Sequence, residues 1–321
     1  MSKRTVNFII LLSIFLLLIL AGPFFVPIKP LENTFPPKEL ADPDSLFIEV
    51  NELIVHAKIQ GMGDPTLILL HGFGASTFSW REVIGPLSEH GTVLAYDRPA
   101  FGLTERPLVW EGSRNPYSPE SQVNLLIGLM DALHIEKAYW VGNSAGGTVA
   151  LNAALNHPDR VEGLILVDAA VYQGGGAPAF VRPLLQTPQL DHLGPLIARQ
   201  ISSRGDDFVR SAWADPNRVT HEILAGYRKP LQAENWDIAL WELTKASRQS
   251  TLPDHIFAVQ SPALVISGAE DTIVPLAFSM RLAEELPNAY LAVFQDCGHL
   301  PQEECPAEFV EAILEFIQNH P

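Results

Sequence analysis

Six short apolar runs constrain this chain more than any other feature: "TLILLHGFG", "TVLAYDRP", "AYWVGNS", "GLILVDAA", "ALVISGAED" and "YLAVFQDCGH". Each holds Leu, Ile, Val, Ala or aromatic side chains without polar alternation, and each stops at a glycine, a histidine or an acid. A strand wetted on one face alternates, so an unbroken run of this length reads as a strand covered on both faces, as in a parallel sheet. Between the runs, helical periodicity predicts helices over Phe78–Glu89, Pro119–Leu133, Ala145–Asn156, Ala277–Leu286 and Ala307–Gln318. Upstream, "LFIEVNE" and "LIVHAKIQG" read as a hairpin turning at Asn51-Glu52. The expected fold class is therefore α/β: a doubly wound, mostly parallel sheet of eight strands.

The rhythm breaks once. Between Ala170 and about Phe257 no buried strand is expected, and segments such as "PLQAENWDIALWELTKAS" are amphipathic and rich in proline and tryptophan. This predicts a helical cap over residues 171–256, inserted between core segments 46–170 and 257–321. Ligands bind beyond the carboxyl ends of parallel strands, so the cap is expected to cover the site.

At the N-terminus, Lys3 and Arg4 precede an apolar run from Phe8 to Val26. That length suits a transmembrane anchor over residues 1–28 better than the shorter apolar core of a signal peptide, the rival reading. The basic residues ahead of the span place the N-terminus in the cytoplasm and the remainder outside; signal cleavage would make it secreted instead. Residues 29–45 then read as a proline-rich spacer that holds the domain off the membrane. The formal net charge of −16 disfavours nucleic acid and points to a small-molecule partner. Cys297 and Cys305 are too few for a disulfide framework and are expected to stay unbridged; no His/Cys cluster suggests a metal.

The chemistry centres on Gly142-Asn143-Ser144-Ala145-Gly146-Gly147, where an apolar run meets a helix. Small residues around one serine at that junction let strand and helix backbones approach while the hydroxyl is held out, the nucleophile-elbow pattern. A serine hydroxyl needs a base, and His299 follows the last strand. The base needs an orienting acid; Asp271, beside Glu270, follows the penultimate strand, with Asp168 as the rival. The backbone N–H groups of Phe73 and Ala145 are the expected oxyanion hole. His71 is read as a structural hydrogen-bonder, and Asp97 as the lock of its own loop. Arg182, Arg199 and Arg204 in the cap are read mainly as solvated, with a substrate carboxylate as the alternative. No organic cofactor or metal is called for.

The set "LLHGFG", "DRPAFG", "GNSAGG", "LILVD", "SGAEDTIVP" and "CGHLPQEE" resembles the lidded branch of the α/β-hydrolase superfamily, its serine esterases and carbon–carbon bond hydrolases. The resemblance implies Ser144 as nucleophile, His299 as base then acid, Asp271 as orienting carboxylate, and Phe73 and Ala145 as amide donors. Dehalogenases and epoxide hydrolases of this branch carry aspartate where Ser144 stands. Meta-cleavage-product hydrolases share the Gly142-Asn143-Ser144-x-Gly146-Gly147 run. They usually carry an aromatic residue after the histidine and a proline in the first loop, where this chain has Leu300 and "HGFGAS". The expected activity is hydrolysis of a carboxylic ester of a small, largely apolar compound, with carbon–carbon or small amide cleavage as the alternative.

Overall fold

The computed structural model describes residues 2–110, 114–173, 180–248 and 250–320; the part of the expected cap at 174–179 lies outside these residues. Eight strands, β1 (Leu46–Val50), β2 (Leu53–Gln60), β3 (Thr66–Leu70), β4 (Thr92–Tyr96), β5 (Ala138–Asn143), β6 (Val161–Val167), β7 (Ala263–Gly268) and β8 (Ala289–Phe294), form one sheet. Their spatial order is β1-β2-β4-β3-β5-β6-β7-β8. β1 and β2 are the expected hairpin, turning through Asn51 and Glu52, both with positive φ. β2 joins β4 antiparallel, and all pairings from β4 through β8 are parallel. The sheet is thus doubly wound and mostly parallel.

Side chains alternate between two cores, one on each face of the sheet. On one face Ile68, Leu94, Trp140 and Leu166 pack against the helices Pro119–Ala132 and Ala145–Asn156. On the other, Leu67, Val93, Val141 and Ile165 meet Trp80 and the helix Pro306–Asn319 through Phe309 and Ile313. Burial on both faces explains why the runs in the sequence are unbroken. The expected helix over Phe78–Glu89 is instead a 3-10 turn, Thr77–Trp80, and a short helix, Ile84–Ser88. The Thr77 N–H donates to the buried Asp97 carboxylate at 2.6 Å, which ties the first turn to the sheet at its own angle.

β3 and β4 run to one side of the sheet and β5 onward to the other, so the topological switch point lies between β3 and β5. There Leu70 is paired with Gly142, and the loops that follow each strand lie side by side. Among the described residues no strand lies between β6 and β7. Helices Arg182–Leu185, Pro188–Ser202, Gly205–Ser211, His221–Arg228 and Trp236–Ala246 occupy that part of the chain. Asp237 accepts from Arg199 at 2.7–2.8 Å, and Asp191 accepts from Trp241 and Lys245, fastening two of these helices together.

Among the described residues one helical stretch, Lys3–Phe25, is long and apolar enough to cross a membrane; a signal sequence would have the same properties. The segment after it, expected as a proline-rich spacer, makes contacts with the body. Phe35 forms a bridge with Ala233 of the cap, Lys229 holds Asp42 at 2.5 Å, and Lys58 holds Asp42 and Asp44. Proline keeps this stretch extended, but its acidic and aromatic residues find partners on the body.

Candidate active site

Ser144 sits at the β5–helix junction with φ 52° and ψ −117°. A non-glycine residue in that region is strained by about 1–3 kcal/mol, so its surroundings must hold it. Its N–H donates to Val167 O at 2.9 Å, and its carbonyl accepts from Gly147 and Ala170. A Cβ on Gly146 would sit 2.1 Å from Leu70 O; one on Gly72 would sit 2.9 Å from Asn143 Oδ1 and 3.3 Å from Ser144 Cβ. Only glycines let the loop after β3 lie this closely over the serine. Among the described residues, neither the Phe73 nor the Ala145 N–H is hydrogen-bonded to a protein acceptor; Ala145 follows Ser144 in the chain and Phe73 lines the cavity with it.

His299 comes to this point from the loop after β8. Its Nδ1 donates to Asp271 Oδ2 at 2.7 Å, and both side chains are buried. The other Asp271 oxygen accepts from the N–H groups of Ile273 and Val274 at 2.7 and 3.0 Å, so the turn itself aims the carboxylate. Glu270 faces solvent. The second ring nitrogen of His299 has no protein partner among the described residues. His299, Ser144, Gly72 and Phe73 line one cavity of about 850 Å³ roofed by cap residues such as Phe208, Trp236 and Leu240. The structure therefore brings Ser144, His299, Asp271, Phe73 and Ala145 to one place.

His71 is not available as a base. Its Nδ1 donates to Gly72 O at 2.8 Å and its Nε2 accepts from the Arg98 N–H at 3.0 Å, which uses both nitrogens. Burial, aided by the Arg98 charge, lowers its pKa to about 3, so the ring is neutral. Asp97 locks its loop by accepting from Thr77, Leu103 and His56. Burial alone would raise its carboxyl, but His56 and these donors hold it down at about 2.

Asp168, the rival acid, is fully buried at φ 43° and accepts from Ser267 Oγ at 2.7 Å and the Gly268 N–H at 3.3 Å. One ligand atom each from Asp168, Asp271 and His299 lie within 4.8 Å of one another, a spacing that could hold a metal ion. The oxygens concerned already accept from Ser267, Gly268, Ile273, Val274 and His299, which suits a hydrogen-bonded network rather than a cation. Burial and then the like charge of Asp271 push the Asp168 carboxyl well above the usual carboxylate range.

Several supporting residues carried no role in the sequence reading. Asn143 Nδ2 donates to His299 O at 3.1 Å, which ties the serine's strand to the histidine's loop. The His299 N–H donates to Ala212 O of the cap at 2.7 Å. Glu304 accepts from Gly298 and from Ala214, and Glu303 from Ser79, Arg81 and Tyr227, so both carboxyls brace the loop against the cap. Two acids at the start of a helix read as solvent-facing; nothing local marks them as buried. Of the cap arginines, Arg199 pairs with Asp237, Arg182 borders a separate polar pocket, and Arg204 lines the cavity. Arg106, which the sequence did not single out, also lines it and donates to Gly102 O and Pro230 O, bridging core and cap.

Cys297 and Cys305 were expected to stay apart and are instead joined in a disulfide, with Cα atoms 6.4 Å apart. The chain between them turns through His299 into the short helix Pro301–Glu304 and doubles back, which brings the two cysteines together.

A doubly wound parallel sheet with a strained serine at its switch point and a helical roof above is the architecture of a capped hydrolase. The chain belongs to the α/β hydrolase fold family, whose model matches residues 65–306. It is 29% identical over 266 residues to the uncharacterized hydrolase YugF of Bacillus subtilis, covering 83% of this chain and 94% of the relative. It is 32% identical over 266 residues to 2-hydroxymuconate semialdehyde hydrolase of Pseudomonas sp. strain CF600, covering 80% and 88%. Among solved structures it is similar to the meta-cleavage product hydrolase of Pseudomonas fluorescens IP01. There the TM-score is 0.66, with 28% identity over 86% of this chain and 98% of the other.

Proposed function

We propose that this chain is a Ser144-dependent hydrolase that cleaves the carbon–carbon bond beside a ketone carbonyl in a vinylogous diketone. Acyl chemistry at Ser144 is supported by one observation above all. The strained serine, the two unengaged amides and the His299–Asp271 pair meet at the floor of a single roofed cavity. Two relatives, a 2-hydroxymuconate semialdehyde hydrolase and a meta-cleavage product hydrolase, favour the carbon–carbon bond.

In this reading Ser144 Oγ attacks the carbonyl carbon while His299 takes the hydroxyl proton. Asp271 keeps the opposite ring N–H oriented and stabilises the imidazolium. The Phe73 and Ala145 N–H groups hold the oxyanion; losing one such donor typically costs about 2.7–4 kcal/mol of barrier. The carbon–carbon bond then breaks, its electron pair leaves on a carbon stabilised by conjugation, and His299 returns the proton there. Water, deprotonated by His299, releases the carboxylic acid and restores Ser144.

Ester hydrolysis stands as the second reading. The same steps expel an alkoxide, and Leu300 and Ala75 stand where carbon–carbon hydrolases usually carry an aromatic residue and a proline. The deciding experiment compares a 2-hydroxy-6-oxohexa-2,4-dienoate series with p-nitrophenyl esters, using Ser144→Ala as control. Turnover of dienoates above control is expected; turnover of esters alone would shift the assignment to an esterase, and neither would end both. We also propose that Lys3–Phe25 tethers the enzyme to a membrane with the catalytic domain on the extracytoplasmic side. A shortened chain recovered in the soluble fraction would show a cleaved signal instead.

A further inference from the structure

The Asp271–His299 pair has a second carboxyl group behind it. Asp168 ends β6 and Asp271 follows β7, the neighbouring strand, so the two acids arrive from adjacent strand ends. Both are buried, and an oxygen of each lies within 4.8 Å of the other and of a His299 ring nitrogen. Among the described residues, no lysine or arginine bonds to the pair. Asp168 accepts from Ser267 Oγ and the Gly268 N–H, and Asp271 from two backbone N–H groups and His299. The repulsion between two carboxylates within 4.8 Å in a buried site favours keeping one proton on the pair.

The donor sets decide where that proton resides. Asp271 receives two backbone N–H bonds on one oxygen and the imidazole N–H on the other, three donors that favour its anion. Asp168 receives one hydroxyl and one long amide contact, and its pKa is raised by burial and by Asp271. The proton therefore stays on Asp168.

We propose that Asp168 is a positioning residue for the reaction assigned to Ser144: a neutral acid that hydrogen-bonds Asp271 and becomes the anion serving His299 when Asp271 is lost. This rests on the hydrolase reading above. In the intact site Asp168 contributes an O–H to the Asp271 carboxylate, fixing its orientation without adding a second negative charge beneath the imidazole. With Asp271 truncated, the like charge that kept Asp168 protonated is gone. Asp168 then ionises, and it already stands close enough to stabilise the imidazolium directly or through one water.

The test uses the rate at which a fluorophosphonate labels Ser144, a reaction that needs the base but no knowledge of the substrate. It is measured as a rate constant, so a partly unfolded preparation lowers the amplitude rather than the rate. Asp271→Ala is expected to label at least about tenfold faster than Asp271→Ala combined with Asp168→Asn, or with Asp168→Ser should the asparagine variant not fold. Equal rates for the single and double variants would overturn the proposal. Asp168→Asn alone replaces one neutral group by another, so the acid limb of the labelling rate is expected to keep its midpoint. A fall of that midpoint by about one pH unit would show an ionised Asp168 and would also overturn it. If wild-type protein fails to label while folded, it is the Ser144 reading that falls, and the two failures are separable.

Discussion

Ser45, His56 and Asp97 are joined by contacts of 2.7 and 2.6 Å, the same three residue types as Ser144, His299 and Asp271, whose His–Asp contact is 2.7 Å. One relay lies at the antiparallel edge of the sheet and the other at the carboxyl rim of its parallel strands. The His–Asp distance does not separate them; Ser45 bonds its histidine directly whereas Ser144 and His299 share no hydrogen bond, and the surroundings differ as well. His56 uses both nitrogens, donating to Asp97 and accepting from Ser45, whose oxygen also accepts from the Asp42 N–H at 3.0 Å. Ser45 lies on ordinary backbone, and none of its relay lines the cavity shared by Ser144 and His299. At the rim, the second nitrogen of His299 is left open, the serine is strained outward and two amides wait beside it. A buried Ser–His–Asp chain is a fold staple unless the ring keeps one nitrogen free and space lies in front of it.

The sharpest way to break this contrast is to ask which serine reacts. Ser144→Ala should lower turnover by about 10⁴- to 10⁶-fold, the range seen when a serine nucleophile is removed. Fluorophosphonate should be found by peptide mapping on Ser144 and not on Ser45. Label on Ser45, or residual turnover within about tenfold of wild type, would remove the distinction between the two relays.

That distinction was only half legible in the sequence. Ser144 follows its apolar run directly, and Asp271 and His299 come within a few residues of theirs, so the strand pattern that predicts the sheet also places them at one rim. The staple left only half a trace: Asp97 follows the run of β4, but its partner His56 lies 41 residues away on β2, a strand whose antiparallel pairing with β4 is set by tertiary packing. The same holds for Asn143 with His299, 156 residues away, and for Glu304 with Ala214, 90 away. Periodicity reports which face of an element is dry. It does not report which distant polar group supplies a buried hydrogen bond, and that is how the bracing of the His299 loop escaped notice.

Next in size is the edge relay's contribution to stability. Asp97→Ala strands the His56 ring and two backbone N–H groups in a dry site, and losing one partner of such a buried pair costs about 3–5 kcal/mol. Urea unfolding should show that loss, while the Ser144 labelling rate of the folded fraction stays within a few-fold of wild type. A large loss of labelling rate with little loss of stability would move Asp97 into the reaction.

Acid should expose a smaller, graded difference. His71 has its folded pKa lowered to about 3 from 6.5, so the folded state binds fewer protons than the unfolded chain between those values. Its contribution is complete above pH 6.5 and declines as pH falls towards 3, with a slope of up to about 1.4 kcal/mol per pH unit. Asp97, held at about 2 against 3.8, adds its own loss only below pH 4. Stability measured from pH 7 to 3 should therefore fall first through His71, and His71→Asn should flatten the fall between pH 6 and 4. An unchanged slope in that variant would assign the acid sensitivity elsewhere.

The smallest effect is the most discriminating. Ser45→Ala removes the hydroxyl that donates to His56 and accepts from Asp42, a loss of about 0.5–1.5 kcal/mol for a part-buried bond. His56 Nδ1 can still donate to Asp97, so the sheet edge survives and turnover should not change. What should change is the hold on residues 29–45: without Ser45 the segment loses one of its anchors, keeping Asp42, Asp44 and Phe35 among others, and limited proteolysis there should quicken. Faster cleavage with unaltered kcat places the edge relay in the fold alone. A tenfold drop in kcat with no change in cleavage would mean that the Ser45 hydroxyl participates in the chemistry after all.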